Sequence, residues 1–252
     1  MTTHRRAKGR LMPLALSVYM TLGGVITVDA RDSRQVFSGE THTWLRAIGK
    51  LQVPGQRPID GRTAHYIEDC SATLVALPDR STANTLITAW HCLERYGDLS
   101  RPILFWVTSV SGETLQREAY RLQDGGGMYA DWAILRLRDP IRSDQVAALP
   151  IHPQAADPER PIVMAGFSKD KGLGARGLTL TYDPLCAITA QNRDIADTTC
   201  TAFKGASGGA VVQLSEGGKP KVCGVISQGN GKGRSTFIPV SGFRNALDIY
   251  LQ

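Results

Sequence analysis

The sequence predicts an all-β fold, a sandwich or a barrel, that ends in one α-helix. Nine apolar runs of four to seven residues recur along the chain, and turn-forming residues bound each of them. From Ser241 onward the apolar residues follow helical spacing, with Ser241 as the expected N-cap. The 26 Gly and 13 Pro residues, scattered through the chain, argue against a helical bundle.

The predicted strands are short and separated by turn signals. They cover residues 47–53, 72–77, 85–89, 103–108, 132–137, 162–165, 178–182, 210–213 and 222–226. Five prolines lie between residues 139 and 161, and this cluster marks a domain boundary. The predicted organisation is an N-terminal domain over residues 31–145 and a C-terminal domain over residues 146–252.

The first 30 residues have the layout of a secretory signal peptide. Residues 1–10 carry four basic side chains and no acid, residues 11–28 are uncharged, and small or short residues precede a cut after Ala30. The alternative is a retained membrane anchor, for which an 18-residue apolar run is at the lower limit of length. We expect cleavage, a secreted or periplasmic location, and no stable membrane association afterwards.

The formal net charge of +6 overstates how basic the exported chain is. Four basic residues and Asp29 place +3 of it in residues 1–30, so about +3 remains for the rest. No run of five Lys or Arg residues occurs after residue 30. This weak and dispersed charge argues against a nucleic-acid partner.

The cysteine content agrees with export to an oxidising compartment, where disulfides persist. The five cysteines are Cys70, Cys92, Cys186, Cys200 and Cys223. None of them are spaced as CxxC, which argues against zinc ribbons and thioredoxin-type motifs. An odd number leaves at least one cysteine without an internal partner.

Ser207 lies between glycines in Gly205-Ala-Ser-Gly-Gly209, which is typical of either a flexible loop or a nucleophile turn. An α/β-hydrolase needs its catalytic histidine after the serine, and all five histidines precede Ser207. The order His, Asp, Ser remains open. In that arrangement an imidazole takes the serine proton and a carboxylate orients the imidazole.

His91 and Asp131 are the best candidates for those two roles. His91 follows an apolar run, and its neighbour Cys92 can tether this loop to Cys70, a cross-link that stabilises by about 3 kcal/mol. Asp131 opens an apolar run after three glycines, where a buried carboxylate would need a partner such as an imidazole N–H. The plainer interpretations are a structural histidine and a solvated aspartate at a strand start.

Four segments together resemble the signature blocks of trypsin-like serine proteases. They are Cys70-Ser-Ala-Thr-Leu-Val75, Thr88-Ala-Trp-His-Cys92, Asp131-Trp-Ala-Ile-Leu-Arg-Leu137 and Gly205-Ala-Ser-Gly-Gly-Ala-Val-Val212. They occur in the family's order and span most of the chain after residue 30. Ile48-Gly-Lys-Leu51 and Ala165-Gly-Phe-Ser-Lys-Asp170 add a weaker likeness to secreted bacterial peptidases, which include the glutamyl endopeptidases.

The resemblance implies a chymotrypsin-like fold of two packed six-stranded antiparallel β-barrels, with the active site in the crevice between them. His91 and Asp131 would come from the first barrel and Ser207 from the second. The backbone N–H groups of Gly205 and Ser207 would form the oxyanion hole, aimed at the charge that develops in the transition state.

The resemblance also assigns substrate-binding residues. The segment from Ser227 to Gly229 would pair with extended substrate backbone, and Thr201 would form the floor of the specificity pocket. A neutral floor does not favour Arg or Lys. The glutamate-preferring relatives place a histidine beside the pocket, which this chain lacks, although Lys232 or Arg234 could supply positive charge.

One departure from the family concerns activation. Most animal members carry Asp immediately before the serine, and this Asp pairs with a new N-terminal amine after zymogen cleavage. Here the residue is Ala206, which cannot make that ion pair. We therefore expect this activation mechanism to be absent.

A second departure concerns the cysteines. In the bacterial subgroup, a cysteine shortly before the serine block often pairs with one on a preceding strand. By this likeness we expect Cys186–Cys200 alongside Cys70–Cys92. Cys223 then stays free, as a small apolar residue within a strand.

These expectations combine into an exported serine endopeptidase that hydrolyses protein or peptide substrates through an acyl-enzyme. The chemistry needs no metal and no organic cofactor, and no dense carboxylate loop indicates calcium. The alternative is a non-catalytic binding protein on the same fold, because fold alone does not establish function. A collapsed oxyanion loop, or a crevice blocked by residues 168–177, would favour that alternative.

Overall fold

A computed structural model describes residues 1–2 and 32–251, so the predicted signal peptide lies almost wholly outside the described residues. The strands are β1 (Gln35–Val36), β2 (Ile48–Ile59), β3 (Arg62–Val75), β4 (Thr82–Thr88), β5 (Ile103–Thr108), β6 (Thr114–Asp124), β7 (Ala133–Arg142), β8 (Ile162–Gly166), β9 (Thr181–Cys186), β10 (Ile188–Gln191), β11 (Ala196–Thr198), β12 (Ala210–Leu214), β13 (Pro220–Gly229) and β14 (Ser235–Pro239). One α-helix, α1 (Val240–Asp248), follows them, and short 3-10 turns cover Thr43–Ala47 and Trp90–Cys92. Across residues 32–251, no helix is both long and apolar enough to span a membrane.

The first half of the molecule is a closed antiparallel barrel with strand order β2-β3-β4-β7-β6-β5. Buried apolar side chains line its interior; Leu51, Leu74, Leu86, Phe105 and Leu135 have no exposed surface. Closure leaves the barrel strands without a free edge, which makes this half a rigid support for the loops at its rim.

The second half is an antiparallel sheet of eight strands in the order β1-β9-β8-β12-β13-β14-β11-β10. The all-β class and the C-terminal helix are confirmed. Within the described residues this sheet stays open, with the two-residue strand β1 at one edge and β10 at the other, rather than closing as six strands. One apolar core cluster contains residues of both halves, among them Leu86 and Val225, so the halves pack directly together.

All nine predicted strands overlap observed ones, and residues 103–108 match β5 at both ends. β2 continues past the predicted stop at Pro54. Gln56, two residues later, donates its N–H to Arg95 O, so this N–H points away from β3. Pro54 shares that orientation, so its missing N–H costs no bond with β3.

The strands without an apolar run could not be predicted in this way. β6 pairs with β5 and β7, yet its side chains are mostly exposed and polar, so it lacks the apolar run that marked the others. Ser241 is not the N-cap of α1, because the helix begins earlier and Pro239 occupies the cap position. The division into domains at residues 145 and 146 stays a prediction.

Candidate active site

His91 and Asp131 lie at the same end of the closed barrel. β4 ends at Thr88, which pairs with Ala133, the first residue of β7. The residues that follow β4 and those that precede β7 therefore meet at one rim. His91 sits in the 3-10 turn Trp90–Cys92 that follows β4.

Asp131 has no exposed surface and accepts several hydrogen bonds. His91 donates its backbone N–H to Oδ1 at 2.9 Å, and its ring Nδ1 lies 2.8 Å from Oδ2. Ser227 donates its hydroxyl to the same Oδ2 at 2.5 Å. These contacts satisfy the buried carboxyl group and fix the plane of the imidazole.

The disulfide Cys70–Cys92 is present and anchors the His91 turn to β3, as predicted. Cys70, His91 and Cys92 place ligand-type atoms within 4.8 Å of one another. Because the two sulfurs are bonded to each other, the cluster lacks the thiolates that bind a metal ion. The cysteine pair serves here to hold the histidine turn.

Ser207 is half-buried in the loop between β11 and β12. Its hydroxyl lies 3.5 Å from the carbonyl oxygen of Ser227, the residue whose side chain binds Asp131. Among the hydrogen bonds of residues 32–251, none joins the Ser207 hydroxyl to the His91 ring. Such contacts are often loose in enzymes without substrate and tighten when substrate binds.

The backbone N–H groups of Gly205 and Ser207 donate to no protein acceptor within residues 32–251. The Lys204 carbonyl oxygen accepts from Lys169 N–H at 2.7 Å. In a trans peptide the N–H points opposite to the C=O, so this bond turns the Gly205 N–H away from Lys169. The loop therefore offers two unpaired donors beside the Ser207 hydroxyl.

Two glycines of this loop are required by geometry. Gly205 has φ +96°, and a Cβ there would lie 2.5 Å from the Phe167 carbonyl oxygen. Gly208 has φ +82°, and a Cβ there would lie 2.2 Å from the Ser71 carbonyl oxygen. Larger residues would have to displace backbone, so the glycines set the position of the loop.

Ser71 is a contributor that the sequence analysis did not single out. It is fully buried in β3, donates its N–H to Ser207 O at 2.8 Å and its hydroxyl to Gly205 O at 2.9 Å. The hydroxyl also accepts from Phe167 N–H at 2.8 Å. Its place directly after Cys70, inside one of the four signature blocks, is the one sequence signal that could have identified it.

The segment that begins at Thr201 packs directly against the end of β13 at Gly229. Thr201 is buried and donates its N–H to Asp183 Oδ2 at 2.9 Å. The next residue, Ala202, lies against Gly229, because a Cβ at Gly229 would be 2.4 Å from Ala202 O. Gly231 N–H donates to the same carbonyl at 3.0 Å. A side chain at position 229 would therefore have to displace the Ala202 backbone.

A cleft of about 260 Å³ lies along the end of β13. Gln228, Gly229, Asn230 and Arg234 are among the residues that line it. Arg234 is thus close to the substrate-binding segment expected from the sequence, and it brings positive charge to the cleft.

The second disulfide, Cys186–Cys200, is also present, as predicted, and ends one residue before Thr201. Cys223 is free and buried in β13. Burial raises the pKa of the Cys223 thiol to about 12. The thiol contacts Val211 O at 3.3 Å and packs as a small apolar group, as expected.

Comparison with known families gives one clear match. A model of the trypsin-like peptidase domain matches residues 70–225, which is more than half of the chain and includes all the residues discussed above from Cys70 to Cys223. A search of curated proteins finds no match. The matched segment contains most of the closed barrel and the whole Ser207 loop. The chain belongs to the trypsin-like peptidase family.

Proposed function

We propose that this protein is a serine endopeptidase whose catalytic residues are His91, Asp131 and Ser207. The observation that supports this most strongly is the buried Asp131 carboxylate, which binds His91 twice and Ser227 once beside the Ser207 loop. Membership of the trypsin-like peptidase family supports peptide hydrolysis as the reaction.

In the proposed reaction, His91 takes the proton from the Ser207 hydroxyl while the oxygen attacks the substrate carbonyl carbon. The C–N bond then breaks, and His91 gives that proton to the leaving amine. A water molecule hydrolyses the acyl-enzyme by the same route and restores Ser207. Asp131 keeps the proton of His91 on Nδ1 and stabilises the imidazolium that forms.

The developing oxyanion would be bound by the N–H groups of Gly205 and Ser207. Both donors are free of protein acceptors in residues 32–251, so no bond has to break before they act. Donors fixed in advance in this way contribute strongly to catalysis; loss of one costs roughly 10²–10³ in rate.

Substrates would be proteins or peptides bound in extended form along Ser227–Gly229. Thr201 would close the specificity pocket from below. The two disulfides are compatible with an extracellular or periplasmic location, and removal of residues 1–30 remains part of the proposal. The closer likeness to glutamyl endopeptidases stays a prediction.

The alternative, a non-catalytic binding protein, is favoured by one contact. The Ser207 hydroxyl faces the Ser227 carbonyl oxygen at 3.5 Å rather than bonding the His91 ring. A serine held in that rotamer would not be activated.

Covalent labelling separates the two possibilities. The purified protein and a Ser207→Ala variant are treated with a fluorophosphonate, and intact masses are measured. We expect a single adduct on the wild type and none on the variant. A folded wild-type protein that takes up no adduct would contradict the proposed enzyme and support the binding protein.

A further inference from the structure

Arg34 is a buried cation that none of the proposed catalytic steps uses. Its side chain is only 2% exposed and lies in the segment just before β1. It forms ion pairs with Asp170 at 2.8 Å and with Asp32 at 2.6 Å. The guanidinium also stacks over the Phe203 ring, 4.2 Å from its centre. Burial of a guanidinium requires such complete partnering, so this is a built site rather than a surface ion pair.

Two partners of Arg34, Asp170 and Phe203, belong to the loops of residues 168–177 and 200–207, which meet at the proposed oxyanion donors. Asp170 follows Lys169, whose N–H binds the Lys204 carbonyl and thereby orients the Gly205 N–H. Phe203 precedes Lys204, and its carbonyl accepts from Ala206 N–H at 3.0 Å. Arg34 therefore contacts the residue after Lys169 and the residue before Lys204, and these two lysines are joined by the hydrogen bond that orients the Gly205 N–H.

A second contact from the same segment reaches the pocket floor. Ser33 donates its hydroxyl to Asp183 Oδ2 at 2.8 Å, and Thr201 N–H binds the same oxygen at 2.9 Å. Asp183 is itself buried. Residues 32–34 thus connect the loop of residues 200–207 with Asp183, which binds Thr201, the expected floor of the specificity pocket.

We propose that Arg34 is a positioning residue. Through contacts within the same chain it holds the loop of residues 200–207, which carries the proposed oxyanion donors, in its active arrangement. The buried Ala206 cannot pair with a terminal amine, and the Arg34 guanidinium supplies a fixed cation for the same loops instead. The active loop arrangement then needs no cleavage that creates a new amine. Trimming past Arg34 would disable the enzyme rather than activate it. The catalytic part of this inference rests on the proposed function, whereas the structural part does not.

The test compares the wild type with Arg34→Ala and with Arg136→Ala. Arg136 is a matched control, a partly buried arginine that binds Asn84 and the Tyr250 carbonyl away from the loop. Hydrogen exchange of peptides covering residues 168–177 and 200–207 is measured first, since this readout needs no activity. We expect faster exchange in both peptides for Arg34→Ala and no change there for Arg136→Ala.

Fluorophosphonate labelling then tests the catalytic consequence. For Arg34→Ala we expect the maximal labelling rate to fall about 10²-fold, as for loss of one oxyanion donor, with little change in the probe's apparent affinity. Added methylguanidinium should restore labelling, and Arg34→Lys should restore it only in part, because Lys cannot bridge both carboxylates.

Two results would overturn the proposal. The first is a folded Arg34→Ala protein in which both loops exchange hydrogen at the wild-type rate. The other is wild-type labelling by that variant. If Arg34→Ala does not fold, Asp170→Asn gives the same comparison, because Arg34 keeps its ion pair with Asp32. Unchanged hydrogen exchange of both loops in Asp170→Asn would contradict the positioning role of Arg34. If the wild type itself takes no label, the proposed function fails, and the exchange data alone decide on Arg34.

Discussion

The two halves of the molecule fix their share of the site in different ways. The first half is a closed barrel in which the ends of β4 and β7, together with the Cys70–Cys92 bridge, place His91 and Asp131. The second half is an open sheet, and its Ser207 loop depends on distant segments. Ser71 binds it from the first barrel, and Arg34 binds it from the N-terminal segment.

This difference suggests how each half responds to change. Neighbouring strands and a covalent bridge hold the His91–Asp131 pair, so we expect it to tolerate damage elsewhere. The Ser207 loop is held by individual hydrogen bonds and one ion-pair cluster, so we expect it to be the more easily disordered part. The following predictions test that contrast.

The largest effect is expected from Asp131→Asn in the rigid half. The amide would favour the wrong imidazole tautomer, and turnover should fall about 10⁴-fold with the fold retained. Peptide hydrolysis rates measure the loss. Asp139→Asn, an exposed acid on β7, is the control and should keep wild-type rates. Equal rates for Asp131→Asn and the control would exclude Asp131 from the mechanism.

A smaller effect is expected from Gly205→Ala in the second half. The new Cβ would meet the Phe167 carbonyl in a backbone region that suits only glycine, which should move the donor and reduce labelling about 10²-fold. Gly217→Ala lies in open space and serves as the control. Fast labelling by Gly205→Ala would show that this N–H is dispensable.

The two disulfides allow a matched comparison between the halves. The paired cysteines are 22 and 14 residues apart in the sequence, so the two closed loops are similar in length. Loss of either disulfide should therefore reduce the free energy of unfolding by about 3 kcal/mol. Replacing Cys70 and Cys92 by Ala should also slow labelling, because His91 adjoins the bridge. Chemical unfolding and labelling rates measure both effects. Labelling at the wild-type rate after replacement of Cys70 and Cys92 would show that this bridge does not hold His91 in place.

The Arg34 cluster predicts a modest dependence of stability on acid. Burial alone would raise the pKa of Asp170, but hydrogen bonds from Arg34 and Gly174, together with the Arg34 charge, outweigh it and lower that pKa. The bond from Arg34 lowers the pKa of Asp32 as well. A lowered carboxyl pKa stabilises the fold above the unfolded value, about 3.9, and this contribution is lost as pH falls through the folded value.

Urea unfolding near neutral pH and below about pH 4 measures this contribution. Asp170→Asn should lose less stability than the wild type over that interval, since it lacks one of the carboxylates that become protonated. Asp139→Asn, the exposed control, should follow the wild type. Parallel curves for the wild type and Asp170→Asn would contradict the predicted role of Asp170.

The smallest effect is expected at Cys223. Its buried thiol, with a pKa near 12, should not react with iodoacetamide in the folded protein and should take up one equivalent after unfolding. Mass spectrometry without reduction counts the adducts. Rapid alkylation of the folded protein would show that the core around β13 opens readily.

The sequence was sufficient where an element carries its own signal. The nine apolar runs located strands, and the His91, Asp131 and Ser207 segments each stood out by their local context. The polar strand β6 and the two-residue β1 have no such pattern, because partner strands alone determine them. Ser71, Asp183 and Arg34 were missed for a similar reason. Their importance comes from contacts across more than 100 residues of chain, such as the bond from Ser71 to Gly205.

The most direct measurement of the central claim is a digest of a denatured protein substrate, with new termini mapped by mass spectrometry. The wild type and a His91→Ala variant of matched fold are compared at equal concentration. We expect internal cleavage by the wild type and almost none by the variant. Cleavage by His91→Ala at the wild-type rate, or none by a wild type that labels at Ser207, would contradict a serine endopeptidase assembled from both halves.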